Sequence, residues 1–228
     1  MAIWQQEAAG KNLKGSAILA EFRGCGKSST PKNPEAEVQM PLFVNDFIAL
    51  TRFLNEGPIN LVGHSAGGII SAMMMAQETS LFKKAVLLDP VGARGVTFHP
   101  SMITAFEQMK TDRDLVATVI GGTIYKNDPQ NPFFQEVLVE DASHAVKSVG
   151  HLVIKALDGL DVRKNMAKVH NKVLVLHGEH DVLLPMADSQ ALAELIPFGT
   201  YMTIPGQGHC TNVEAPEKFV QLVAKFLF

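Results

Sequence analysis

From Gly57 to Gln77 the chain runs for 21 residues without an Asp, Glu, Lys or Arg. A hydrocarbon core takes about 20 apolar residues to cross, so the stretch has the length of a span. It lacks the composition of one. Pro58, Asn60, His64 and Ser65 interrupt it, and Gly63, Gly67 and Gly68 crowd its centre. The pattern instead reads as a short buried strand at Ile59–Val62, a sharp turn, and a buried helix from Gly67 to Thr79. A strand and a helix that both lack charge belong inside a sheet covered by helices.

The rest of the chain repeats this alternation. Short apolar runs at Ser16–Phe22, Lys84–Asp89, Val173–His177 and Thr200–Ile204 read as strands. Val38–Asn55 reads as a helix with Phe43, Phe47, Leu50 and Leu54 on one face. Pro185–Leu195 reads as another. The last helix runs from about Pro216 to Phe228, with an apolar stripe of Phe219, Leu222, Val223 and Phe226 and a proline suited to the first turn. Strands alternating with helices predict an α/β fold: a mostly parallel sheet with helices on both faces. The segment after Val91 breaks the alternation. It holds helix-like stretches, the polar loop Lys126–Pro132 and no clear strand. The predicted organisation is a core in two parts, residues 1–90 and 170–228, with residues 91–169 as an inserted helical cap.

Length and composition set the outer limits. A chain of 228 residues suits one α/β domain. Its 46% hydrophobic and 19% charged residues are ordinary for a soluble globular protein. A net charge of −3 argues against non-specific binding to nucleic acid or acidic membranes. The first ten residues lack the basic and apolar regions of a signal peptide. Cys25 and Cys210 are far apart and have no metal-ligand spacing, which predicts reduced thiols in a cytoplasmic protein. No metal and no organic cofactor is implied.

The chemistry centres on Gly63-His64-Ser65-Ala66-Gly67. It fits the G-x-S-x-G turn, in which small flanking residues let a strained serine stand between a strand and a helix. The helix N-terminus beside it favours developing negative charge, and the Ala66 N–H is a candidate oxyanion donor. A serine hydroxyl needs a base. Of eight histidines, His209 follows the last predicted strand in Pro205-Gly206-Gln207-Gly208-His209, where α/β sheets place their sites. The base needs an acid to hold its tautomer. Asp181, in the loop after Val173–His177, is the favoured candidate, with Glu179 and Asp89 as competitors. His64 in the turn is a candidate substrate contact. So are Met102, Phe106, Phe133 and Phe134 of the insertion, if they do more than pack it onto the core.

Taken together, Ser65, Asp181 and His209 stand in the chain order of the α/β-hydrolases. The chain resembles the esterase, lipase and carbon–carbon hydrolase members of that family. Glu21-Phe22-Arg23-Gly24-Cys25-Gly26-Lys27-Ser28 is similar to the family's D-x-R-G-x-G-x-S turn, with Glu for Asp. The ending Gly206-Gln207-Gly208-His209, with Glu214-Ala215-Pro216-Glu217 after it, is similar to the family's last catalytic loop. Gly24-Cys25-Gly26-Lys27-Ser28-Ser29 only imitates a phosphate-binding loop. Glu21 stands where that loop needs glycine, and Pro31 and Pro34 follow where a helix should open.

The resemblance implies a hydrolase acting on a small-molecule ester, lactone or activated carbonyl, with a homo-oligomer possible. A hydrolase-like binding or interaction protein of weak activity is the alternative. The family opens with strands before the Arg-Gly turn, the third ending in a His-Gly motif that carries an oxyanion N–H. Here the chain is expected to begin inside the fold, with Met1–Lys14 resembling the helix after that motif and Trp4 in its usual place. A truncated chain, a short isoform or a wrong start codon would each give such a beginning. The missing strand would lie between Ser16–Phe22 and Ile59–Val62.

Overall fold

The computed structural model describes residues 16–97 and 99–228. The expected Met1–Lys14 helix and Trp4 lie outside them. Among the described residues, four strands form one parallel sheet in the order β1-β2-β3-β4. They are β1 (Ile59–His64), β2 (Phe82–Leu88), β3 (Lys172–Gly178) and β4 (Gly199–Ile204). Spatial order equals chain order. Leu88 is level with His64 on one side and Leu176 on the other, and Gly178 is level with Ile204. The strands therefore end together, and the loops that leave them share one rim.

Alternation along β2 and β3 explains why both read as continuous apolar runs. Ala85, Leu87, Val173 and Val175 face one core; Val86, Leu88, Leu174 and Leu176 face the other. The first core is closed by α1 (Met40–Leu54), α2 (Ala66–Gln77) and later α7, which spans Met186–Leu195. The second is closed by the C-terminal helix α8 (Pro216–Leu227). Its expected stripe is in place, with Val223 buried and Phe219, Leu222 and Phe226 packed against the sheet. Pro216 opens this helix at its first turn. Each large side chain withdrawn this way contributes about 1.5–3 kcal/mol.

Helix α1 sits rotated from its expected face. Met40, Phe43, Val44, Ile48 and Thr51 are buried, whereas Phe47 and Leu50 line a groove beside the Glu21–Lys32 turn. That turn gives them a second surface to cover. Arg23 clamps it to α1 by two bonds to Asp46, Nε to Oδ2 at 2.7 Å and Nη2 to Oδ1 at 2.6 Å. Asn55 ends α1 in the left-handed conformation, φ 51°, which Asn tolerates better than most residues.

The expected strand at Ser16–Phe22 is not formed. Ile18 is 57% exposed, Phe22 is anchored with its ring 5.0 Å from that of Phe43, and Glu21 accepts from Lys27 N at 2.9 Å and Ser28 Oγ at 3.1 Å. A strand exists through its ladder partner, and no described residue pairs with this segment. β1 likewise pairs on one side only among the described residues, with β2.

Between β2 and β3 the chain is helical: α3 (Pro100–Gln108), α4 (Arg113–Thr123), α5 (Val139–Ala145) and α6 (His151–Leu157). The π-helical turn Phe134–Leu138 leads into α5, and a second, Val146–Gly150, joins α5 to α6, making one long run. No helix among the described residues is long and apolar enough to cross a membrane.

Candidate active site

The turn between β1 and α2 holds Ser65 at φ 54°, ψ −119°. An L-residue adopts such a backbone only when its surroundings insist. They do: the Ser65 N–H donates to Leu88 O at 2.9 Å, and Ser65 O accepts from Gly68 N at 2.9 Å and Val91 N at 3.2 Å. A Cβ at Gly63 would lie 2.3 Å from Gly67 O, and one at Gly68 would lie 2.7 Å from Pro90 Cβ. Both positions need glycine. Gly67 does not need it for space, since a Cβ there meets nothing within 4 Å. Ala66 is the first residue of α2, so its N–H has no acceptor within the helix.

The loops after β3 and β4 meet this turn through a second close approach. A Cβ on Gly178 would lie 2.0 Å from Gly208 O, so only glycine lets the two loops touch. Across that contact His209 Nδ1 donates to Asp181 Oδ2 at 2.8 Å. Asp181 Oδ1 accepts from Leu183 N at 2.7 Å and Leu184 N at 3.1 Å. The His209 ring is 4% exposed. With Nδ1 committed as a donor, Nε2 is left as the basic nitrogen. Ser65 Oγ makes no hydrogen bond among the described residues; such contacts often close only when substrate is bound.

The competing acids have other partners. Glu179 Oε2 accepts from Gly206 N at 2.8 Å and ties the two loops together. Asp89 accepts from Gly178 N at 2.7 Å. His64 is used within the protein rather than left open: its Nε2 is 2.8 Å from His209 O, and the two rings are 4.8 Å apart. Burial, and then the neighbouring His209, push the His64 imidazole down to about 3, so it is neutral at working pH.

Asp181 has the opposite balance. Burial disfavours its charge, but the bond and charge of His209, with the two backbone N–H groups, outweigh that. They hold its carboxyl below the usual carboxylate range. Burial lowers His177 and raises the Cys210 thiol to about 12. Cys25 is also raised by burial and is half-buried rather than exposed. Among the described residues two groups of side chains come close enough to share a cation, His64–Asp89–His209 and Asp89–His177–Asp181, each within 4.8 Å. Both overlap the His209–Asp181 pair.

Residues 4–222 match the model of the alpha/beta hydrolase family. The chain belongs to this family. It is 26% identical to 3-oxoadipate enol-lactonase 2 of Acinetobacter baylyi, over 96% of this chain and 81% of that one. It is 24% identical to a putative carbamate hydrolase, RutD, of Caulobacter segnis, over 99% and 86%. Among solved structures, an esterase from Exiguobacterium antarcticum superposes with a TM-score of 0.78 at 19% identity, covering 90% of this chain and 79% of that one. The enol-lactonase of Burkholderia xenovorans gives 0.76 at 21% identity, covering 91% and 78%. The protein is a hydrolase of the α/β-hydrolase family, and the sheet with its shared rim of loops is that family's fold.

In this α/β-hydrolase the apolar candidates of the insertion separate. Phe133 and Phe134 line a cavity of about 450 Å³ between the helical segment and the loop after β4. Phe106 packs among Met109, Val116 and their neighbours, and Met102 is partly exposed. Neither Ser65 nor His209 lines that cavity. His99, His144 and His170 lie on the surface and His151 is buried, as packing or surface residues would be. Two contributors were missed in the sequence. His177 sits inside β3 and reads as part of an apolar run. Tyr125 stacks on His180, with ring centroids 4.1 Å apart, from the helical segment.

Proposed function

We propose that the protein hydrolyses an ester, lactone or activated carbonyl compound through an acyl-enzyme. Ser65 Oγ attacks the carbonyl carbon as His209 Nε2 takes its proton. The Ala66 N–H supports the oxyanion that forms. His209 then gives the proton to the leaving group, and water deprotonated by His209 releases the acid. Asp181 holds the tautomer and balances the imidazolium. The observation that carries this reading is the 2.8 Å bond from the buried His209 to Asp181, on the same rim as the strained Ser65. Residues 91–169 are proposed as the cap, with Phe133 and Phe134 nearest the acyl chain.

The test is fluorophosphonate labelling and aryl-ester turnover of wild type and Ser65→Ala. Labelling at Ser65, lost with turnover in the variant, is the expected result. Normal turnover by Ser65→Ala would move the nucleophile elsewhere. A second reading, a ligand-binding protein of weak activity, draws on the absence of a hydrogen bond at Ser65 Oγ among the described residues. A folded wild type that binds lactones but never labels would favour it.

A further inference from the structure

Asp89 closes β2, and the mechanism above leaves it unused. Its side chain is fully buried, and its backbone is strained at φ 41°. Strain of this kind in a residue with a Cβ is kept only where the surroundings over-determine it. Its N–H donates to Leu176 O at 2.8 Å, and its Oδ1 accepts from Gly178 N at 2.7 Å. Its Oδ2 is buried and is left without an ordinary donor. One oxygen each of Asp89 and Asp181, and one ring nitrogen of His177, lie within 4.8 Å of one another.

Two ionised carboxylates this close, in a buried cluster whose His64 and His177 are neutral, would repel without compensation. One of them has to carry a proton. Asp181 is the better anion, with three N–H donors against one for Asp89. We propose that Asp89 is a positioning residue for the His209–Asp181 pair: it stands behind them as a neutral carboxylic acid, holds the Gly178 N–H with one oxygen and offers its O–H to Asp181 with the other. The proton turns the orphaned oxygen from an unsatisfied acceptor into a donor. It steadies Asp181 without adding a second charge beside His209. Burial, foremost, and the nearby Asp181 and Glu214 push the Asp89 carboxyl up to about 9, which agrees with the count of donors. The titratable groups facing it are His177 and Asp181 from β3 and its loop, His64 from the end of β1, and His209, Cys210 and Glu214 from the loop after β4.

The inference rests on the hydrolytic reading of the site, and the test separates the two. Asp89→Asn keeps the acceptor for Gly178 and replaces the O–H donor by an N–H; Asp89→Ala removes both. On an aryl ester, kcat/KM of Asp89→Asn should stay within about three-fold of wild type, and that of Asp89→Ala should fall about ten-fold or more. The acid limb of the pH profile should keep its place in Asp89→Asn, because no charge has been removed. Melting temperature against pH gives a readout that needs no catalysis. Below about pH 4 the carboxyl carries its proton whether the chain is folded or not. Between there and about pH 9 only the folded chain holds it, so rising pH favours unfolding. Asp89→Asn has no such proton, so its advantage over wild type should widen from about pH 4 to about pH 9. A loss of about 100-fold in Asp89→Asn, or an acid limb moved to lower pH, would show an ionised Asp89 and overturn the proposal. Parallel melting curves would overturn it too. Failure of wild type to label at Ser65 would sink the hydrolytic reading and the positioning role with it, and the melting comparison would then decide the Asp89 proton alone.

Discussion

β1 and β3 lie in the same parallel sheet and both end on the rim that carries the site, yet they are held in opposite ways. β3 is buried at every position but its first and is laddered on both sides. β1 is buried only at Gly63, leaves Val62 49% exposed, and is laddered to β2 alone among the described residues. The Asp181–His209 side therefore rests on the interior of the sheet. The Ser65 side rests on one neighbour and on close contacts around its turn. Rigidity at Ser65 comes from the turn, through Leu88 O, Val91 N and the glycine contacts, more than from its strand.

The largest effect should come from the β3 side. Asp181→Asn should lower kcat by up to about 10⁴-fold on an aryl ester while the fold survives. It should cost far more than Asp89→Asn, and equal losses would shift the acid to the end of β2. Next, the turn itself can be broken. Gly63→Ala drives a Cβ to within 2.3 Å of a backbone oxygen and should cost about 3 kcal/mol in a denaturant melt. Gly67→Ala, with open space at its Cβ, should stay within about 1 kcal/mol of wild type. Similar costs at both would mean that the turn is not the source of rigidity.

The strands can be compared directly. Val175→Ala in β3 empties a fully buried site and should cost about 2 kcal/mol. Val62→Ala in β1 should cost about 0.5 kcal/mol or less. A large loss at Val62 would show that something covers β1 in solution. Phe133→Ala carries the comparison to the β4 side, where Phe133 lines the cavity. It should lower kcat/KM about ten-fold for a long-chain aryl ester and less than two-fold for an acetate. Uniform loss across chain lengths would place the acyl chain elsewhere.

What could be read in the sequence was whatever is decided locally. The turn at Ser65, the glycines of the His209 loop and the alternation of β2 and β3 all announce themselves within a few residues. Ser16–Phe22 has the apolar content of a strand but no described partner, and no local pattern reports a missing neighbour. His177 was hidden for a different reason. A polar residue inside an apolar strand shows its role only when the facing strand is known. The two π-helical turns before α6 leave no mark in the apolar spacing either, so the segment was legible as helical but not as one long run.

Glu214 ties the loop after β4 to the helical segment: its Oε2 takes the N–H of Gly208 at 2.6 Å, and its Oε1 takes that of Tyr125 at 2.9 Å. One carboxylate thus grips the residue before His209 and the chain just after α4. Swinging the helical segment aside tugs on the loop that aims the imidazole. If residues 91–169 act as the proposed cap, this one side chain links their position to the aim of the His209 ring, like a door whose latch is also its hinge.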